Sequence, residues 1–181
     1  MKVLTIHEVQ DNMLNLDLSE FDILTFDDGL YSQYKNYEHF LKFNKPMYFF
    51  ISTGIVCPEE TFQNQEVVTS EIAHEHYFDY GDFTNYMKWS QIKEISERPN
   101  CFIGGHGHSH VTLKYAPIDV QASMTSNETL IMIEEFKRHG IEINSFCFPY
   151  NFAAIGWRHY LKKVGIDKFF GQERTDIREL L

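Results

Sequence analysis

The chain has 181 residues, 43% of them hydrophobic and 23% charged, a composition typical of a single folded domain over residues 1–181. Its formal net charge of −10 argues against binding to nucleic acid or to an anionic membrane, because both require a basic surface. No stretch approaches the roughly 18 apolar residues that cross a membrane, and no signal peptide is visible. Three widely spaced cysteines form no CxxC pair, which fits a reducing compartment. We therefore predict a cytoplasmic protein without membrane insertion, of either monomeric or oligomeric state.

Strand and helix patterns alternate in the first half of the chain. Residues 21–26 form a short strand candidate, and residues 31–44 carry large side chains on one helical stripe. Residues 47–52 are a continuous apolar run, typical of a strand buried on both faces. Residues 54–86 follow neither period and are long for a connection, which indicates an irregular insertion or a functional loop.

The second half continues this alternation. We predict helices over residues 87–97, 127–139 and 157–164, and strands over residues 101–103, 141–148 and 168–171. The alternation predicts an α/β fold with a mainly parallel sheet. In such folds ligands bind at the carboxyl ends of the strands, and the chemically suggestive residues of this chain follow three of those ends.

His106-Gly-His-Ser-His110 follows the third predicted strand. Two histidines four residues apart can face one metal ion, and the surrounding glycines let the backbone approach it closely. The alternative is a pair of loop histidines that cap a helix, since a pair at this spacing also arises by chance. His108 is expected to point away from the metal, because its neighbours take the ligand positions.

Asp27 and Asp28 follow the first predicted strand. Adjacent carboxylates repel each other unless a cation or a hydrogen-bond donor lies nearby, although an Asp-Asp-Gly sequence is also an ordinary surface turn. A metal ion would relieve the repulsion, with Asp28 as a ligand and Asp27 as a proton acceptor. One carboxylate and two imidazoles suit one divalent ion, Zn²⁺ or equally Co²⁺, Ni²⁺ or Fe²⁺, and leave a position open for water and substrate.

The chain resembles the polysaccharide deacetylase (NodB homology, carbohydrate esterase family 4-like) family in three motifs. In chain order, these are Thr25-Phe-Asp-Asp-Gly29, His106-x-x-x-His110 and Phe148-Pro-Tyr150. Trp89-Ser-Gln-Ile92 is also similar to that family, and the resemblance covers residues 21–171. It implies a distorted (β/α) barrel of the polysaccharide deacetylase type, or one shortened at its C-terminus. It also implies a metal-dependent hydrolase that removes an acetyl or similar acyl group from an amino sugar or polysaccharide precursor.

The resemblance further implies a role for each matching residue. The metal ligands of the family correspond to Asp28, His106 and His110. Its general base, which takes a proton from a metal-activated water, corresponds to Asp27. Its third motif, whose tyrosine backbone N–H binds the oxyanion, corresponds to Pro149 and Tyr150.

Two parts of the family pattern are missing. The arginine that orients the base, two residues before the proline, is replaced by Cys147, and a neutral thiol cannot supply its charge. The general-acid histidine of a downstream Leu-x-x-His motif has no clear counterpart, so Asp27 or another residue would protonate the leaving group. The alternative function is therefore that of a catalytically weak or inactive deacetylase-fold protein that binds metal and carbohydrate. A metal-free interaction domain is a third possibility.

Additional substrate contacts are expected around the site. Tyr31, just after the aspartate motif, is a candidate rim residue. His74 and His76 belong either to a lid over the sugar or to a surface loop whose rings pack locally. Different sugars, acetyl and other acyl groups, and both N- and O-deacylation fit these residues. A nucleotide-linked or lipid-linked precursor fits a cytoplasmic enzyme better than a mature polymer does.

Overall fold

This computed structural model describes residues 1–171 and 173–181, which form one parallel sheet surrounded by α-helices. The strands are β1 (Val3–Ile6), β2 (Ile23–Phe26), β3 (Met47–Ile51), β4 (Cys101–Gly105), β5 (Ser145–Cys147), β6 (Lys168–Phe170) and β7 (Thr175–Asp176). The helices are α1 (Tyr31–Phe40), α2 (Ser70–Tyr80), α3 (Trp89–Ser96), α4 (Ile118–Arg138) and α5 (Trp157–Lys163). The sheet order is β6-β5-β4-β3-β2-β1-β7, and its pairings are parallel. The predicted α/β fold with a parallel sheet is confirmed.

The sheet curls into a half-barrel. Its two edge strands, β6 and β7, follow one another in the chain, and only residues 171–174 separate them. Five residue steps span at most about 18 Å, so the two edges lie near each other. Parallel neighbours need a crossover of about a dozen residues, so this short connection leaves a gap between β6 and β7 instead of pairing them.

Most of the core lies between the sheet and the helices. The rings of Phe26 and Phe49 are fully buried there and stack with their centroids 4.4 Å apart, and Phe40 of α1 packs edge-on against Phe26. On the opposite face of the strands, a smaller cluster consists of Val3, Ile23, Tyr48, Phe50 and Cys147. The central strands are therefore buried on both faces, as the apolar run over residues 47–52 predicts.

The prediction of irregular structure over residues 54–86 was wrong for α2. This helix begins after Thr69, whose side chain accepts a hydrogen bond from the Ile72 N–H, and ends at Gly81 in the left-handed conformation. Only Ser70 and Ala73 of α2 are buried, so the helix has almost no apolar stripe. A helix of this kind produces no periodic signal in the sequence.

Other element boundaries also differ from the predictions. α4 begins at Ile118, nine residues before the predicted start at 127, because its first turns expose Ile118 and Val120 and bury Gln121. The strand predicted over residues 141–148 is confined to β5. β1 and β7 were not predicted, and the two residues of β7 are too few to show a period. Within the described residues, no helix combines the length and the apolar character required to span a bilayer.

Phe49→Ala should lower the free energy of unfolding by about 3–5 kcal/mol, because it removes a fully buried ring from the stacked pair with Phe26. Urea denaturation measures this change. Phe62→Ala is the matched control, since the Phe62 side chain is 83% exposed and its loss should change stability by only about 0.5 kcal/mol. Equal effects of the two substitutions would contradict the core described above.

Candidate metal and catalytic site

The predicted site residues come together at the carboxyl ends of the strands. Asp27 and Asp28 directly follow β2, His106 directly follows β4, and Pro149 and Tyr150 lie two and three residues beyond the end of β5. A cavity of about 250 Å³ opens at this end of the half-barrel and is lined by both aspartates, His106, His110, His74 and Tyr150. Pro149 is buried behind the cavity, and Tyr31 lines a separate recess with Asn64 and Val67.

Asp28, His106 and His110 form the one group of potential metal ligands found within the described residues. Oδ1 of Asp28 lies 3.2 Å from Nε2 of His106 and 3.0 Å from Nε2 of His110. All three side chains are buried. Bonds of about 2.0–2.2 Å in a tetrahedral site place ligand atoms about 3.3–3.6 Å apart, close to these distances, so these three atoms could bind one divalent ion.

Left-handed backbone turns direct these ligands into one place. Asp28 has φ 74° and His110 has φ 49°, although neither is glycine. Aspartate and histidine enter this region more easily than most residues, and such conformations are concentrated at functional sites. The turn after Asp28 continues through Gly29, also at positive φ, where a Cβ would approach the Ile51 side chain to 3.1 Å.

Neighbouring elements hold the histidine loop. Nδ1 of His106 hydrogen-bonds to the Cys147 carbonyl oxygen at 2.8 Å, which leaves Nε2 free to act as a ligand. The Glu128 carboxylate on α4 accepts hydrogen bonds from the backbone N–H groups of His108 and Ser109 at 2.6 and 2.9 Å. Nδ1 of His108 hydrogen-bonds to the Thr53 hydroxyl, so this ring is turned away from the other two histidines.

The electrostatics of the cluster favour a cation. Burial raises the pKa of Asp28, but the charge of His110 and the hydrogen bonds from His106 and His110 lower it by more, so this pKa lies well below its usual range. Burial lowers the pKa of His106, but its hydrogen bond with Asp28 and the charge of Asp27 raise it by more. The carboxylate is thus ionised and attracts positive charge to the place where the ligand atoms meet.

Asp27 has a different partner, which the sequence analysis missed. Arg174, in the gap between β6 and β7, donates to both carboxylate oxygens of Asp27 at 2.8 Å and to the Thr25 hydroxyl at 3.0 Å. Burial raises the pKa of Asp27, but the charge and hydrogen bonds of Arg174 lower it by more, so Asp27 stays ionised. The buried Cys147 thiol lies 3.4 Å from Asp27 and has a pKa well above its usual value, so it is neutral as expected.

Tyr150 and Asn151 form a strained turn beside this pair. Both residues have φ 54°, and the Tyr150 ring lies 4.9 Å from the His110 ring. The Asn151 side-chain oxygen accepts a hydrogen bond from Arg174 at 3.1 Å. One guanidinium therefore contacts both the carboxylate of Asp27 and the turn that carries Tyr150.

His74 extends from α2 over the ligand group. Its ring stacks on that of His110 with centroids 4.2 Å apart, and its Nε2 lies 3.9 Å from Oδ2 of Asp28. Burial lowers the pKa of His74 to about 4 against the opposing effect of Asp28, so the ring is neutral near pH 7. His76, two residues later on the face of α2 away from the site, lies within hydrogen-bond distance of Asn85. The structure thus brings His74, and not His76, into the cavity.

Searches against models of protein families and against curated proteins found no match. Solved structures do match. IcaB from Ammonifex degensii has a TM-score of 0.66 at 19% identity, over 97% of this chain and 84% of that one. The BpsB deacetylase domain from Bordetella bronchiseptica has a TM-score of 0.59 at 14% identity, over 97% and 93%. A polysaccharide deacetylase from Bacillus cereus has a TM-score of 0.64 at 13% identity, over 97% and 64%. The protein thus has the polysaccharide deacetylase fold that the sequence motifs predict.

The double substitution His106→Ala/His110→Ala should abolish binding of a divalent metal ion, because it removes two of the three ligands. Elemental analysis after incubation with Zn²⁺ should give about one ion per wild-type chain and none for the double variant. His159→Ala, which changes an exposed histidine on α5, is the control and should bind metal like the wild type. Equal metal content in all three proteins would place the ion elsewhere.

Arg174→Ala should lower the free energy of unfolding by about 3–5 kcal/mol, because it leaves the buried Asp27 carboxylate without its cation. Arg138→Ala removes an exposed pair with Glu135 and should change stability by at most about 1 kcal/mol. Urea denaturation of both variants gives the comparison. A small effect of Arg174→Ala on the free energy of unfolding would mean that water replaces the guanidinium without loss of stability.

Proposed function

We propose that this protein is a metal-dependent hydrolase that removes an acetyl or similar acyl group from an amino sugar or a polysaccharide precursor. The observation that carries the proposal is the buried Asp28–His106–His110 group, which lies beside an ionised Asp27 in the cavity of a deacetylase fold. Such a group with an open side towards solvent is characteristic of a catalytic and not a structural metal site.

The donor set fits one divalent ion, for which we propose Zn²⁺, with Co²⁺, Ni²⁺ or Fe²⁺ as alternatives. When bound, the ion would polarise the acyl carbonyl and make water nucleophilic at neutral pH. The protein contributes the fixed geometry, since the carbonyl of Cys147 orients His106 and the carboxylate of Glu128 secures the loop.

Asp27 acts as the general base in this proposal. Its carboxylate lines the cavity and is adjacent in sequence to the ligand Asp28, so it lies close to the place where water would attack. Arg174 occupies one lone pair on each carboxylate oxygen, and the Cys147 thiol donates to Oδ2 at 3.4 Å, so Oδ1 is the oxygen that retains a lone pair for a proton. Arg174 is therefore a positioning residue that fixes the orientation of Asp27 without blocking it.

The turn after β5 is proposed to stabilise the developing oxyanion. The left-handed conformation of Tyr150 is held by its neighbour Asn151, which is hydrogen-bonded to Arg174. A backbone N–H in such a fixed turn can donate to an oxyanion without reorganising during the reaction. We propose this role for the Tyr150 N–H, and a substrate contact for the neutral His74 ring.

The second candidate function is a catalytically weak or inactive protein that binds metal and carbohydrate. It was motivated by two missing residues, the arginine beside the base and the general acid. The contact between Arg174 and Asp27 removes the first of these reasons, because the base has its cation from a different part of the chain. The hydrolase is therefore the function that the geometry supports better.

Asp27→Asn should reduce the rate of acetate release from an N-acetylated sugar oligomer by about 10²–10⁴-fold, because an amide cannot accept the proton from water. Metal content should stay at the wild-type level, since Asn replaces no ligand. Asp22→Asn, at an exposed aspartate, is the control and should keep full activity. Unchanged hydrolysis by Asp27→Asn would exclude this residue as the base, and no hydrolysis by the metal-loaded wild type would favour the binding protein.

A further inference from the structure

A second cavity lies beside the end of α1 and shares no lining residue with the catalytic cavity. Its volume is about 370 Å³, within the range of about 300–1,000 Å³ that is typical of small-molecule sites. The connection from β1 to β2 forms one wall, and the end of α1 with the residues after it forms the other. The apolar side chains of these walls are Met13, Leu14, Leu16, Leu18, Phe40 and Phe43.

The leucines of the first wall have an unusual environment. In Leu14-Asn-Leu-Asp-Leu18 the three leucines are partly buried, whereas Asn15 and Asp17 are exposed. This alternation is typical of a strand with one buried face, but the segment belongs to none of the strands β1 to β7. The leucines line the cavity instead and keep part of their apolar surface in contact with solvent. An alkyl chain in the cavity would remove this surface from water, which is favourable.

The rim of the cavity carries positive charge. Lys42 and Lys45 both line it, in a chain with 26 acidic and only 16 basic residues. Among residues 1–171 and 173–181, neither lysine forms an ion pair with a carboxylate, because Lys45 donates to the carbonyl oxygens of Ser19 and Phe21 and Lys42 contacts His39. Asp17 also lines the cavity, but its carboxylate accepts a hydrogen bond from the Ser19 N–H.

The contact between Lys42 and His39 leaves one group without a suitable partner. Nε2 of His39 lies 2.8 Å from Nζ of Lys42 and 2.5 Å from the carbonyl oxygen of Leu14. An ammonium group only donates and a carbonyl oxygen only accepts, so this nitrogen can satisfy only one of them. If Nε2 donates to Leu14, Lys42 has no acceptor here. An anion beside Lys42 would supply that acceptor, at the edge of the wall that the leucines form.

We propose that this cavity binds a single-chain alkyl carboxylate, with the chain against the leucines and the carboxylate at Lys42. The site is separate from the proposed hydrolase function and does not depend on it. A carboxylate fits better than a phosphate because Lys45 already donates to two carbonyl oxygens, which leaves one lysine for the ligand. No arginine is found among the described lining residues to provide the paired donors that suit a phosphate.

The test is calorimetric titration of the metal-loaded protein with hexanoate, octanoate, decanoate, dodecanoate and 1-decanol. The affinity for the carboxylates should rise by about 3- to 4-fold for each added methylene group until the chain fills the cavity, and then level off. Leu16→Asn should weaken the binding of decanoate and of 1-decanol alike, because it places an amide in the apolar wall.

Lys42→Glu separates the role of charge from that of the apolar wall. It should lower the affinity for decanoate by about 5-fold or more and change that for 1-decanol by less than about 3-fold, since only the carboxylate is attracted to Lys42. Lys162→Glu, at an exposed lysine on α5, is the matched control for the change in net charge and should bind decanoate like the wild type.

The catalytic cavity is the competing site, because carboxylates also bind metal ions. Decanoate binding should persist in His106→Ala/His110→Ala and in excess acetate. Loss of binding in that double variant, equal affinities of wild type and Lys42→Glu, or no binding of any carboxylate would overturn the proposal and leave the hydrolase untouched.

Two further results would assign the cavity to another occupant. Tighter binding of decyl phosphate than of decanoate would replace the carboxylate by an alkyl phosphate. A dimer in sedimentation experiments that Leu16→Asn dissociates, together with no decanoate binding, would mean that a second copy of the chain covers the leucines. Either result would overturn the assignment to a carboxylate.

Discussion

Two adjacent carboxylates lie buried at the end of one strand, and the structure around them is arranged to supply each with positive charge or hydrogen-bond donors. A buried carboxylate without a partner is strongly destabilising. Asp28 faces His106 and His110, at distances that leave room for a divalent ion, whereas Asp27 is paired with Arg174. The separation into two partners also separates the two roles proposed for these carboxylates, metal binding for Asp28 and proton acceptance for Asp27.

The curled sheet allows the two adjacent carboxylates, Asp27 and Asp28, to have different partners. β4 and β5 lie on one side of β2 and supply the histidine loop and the turn at Tyr150, whereas β1 and β7 lie on the other side. Arg174 reaches Asp27 from the gap between the two edge strands, which are consecutive in the chain. His7, directly after β1, lines the same cavity from that side. The cavity therefore has the potential metal ligands His106 and His110 on one flank of Asp27, whereas Arg174 pairs with Asp27 from the other flank.

Several elements show why sequence patterns predicted part of the fold and not all of it. β3 was predicted because its five residues are all buried and apolar, and the helix patterns near α1, α3 and α5 were clear enough to place them. α2 was missed because only two of its eleven residues are buried. His7, which lines the cavity, was not predicted as a site residue, because it follows β1 and that strand was not predicted.

The sequence by itself determined which residues are candidates for metal ligands and for the base, because Asp27, Asp28, His106 and His110 belong to short motifs directly after predicted strands. The carboxyl ends of parallel strands lie at the same edge of a sheet, whatever the order in which the strands pair. Only the tertiary structure decided the partners of Asp27. Arg174 lies 147 residues from Asp27, and no local period or spacing connects them. Their contact depends on the order of the strands and on the closeness of the two sheet edges, which are properties of the packed chain and not of any segment.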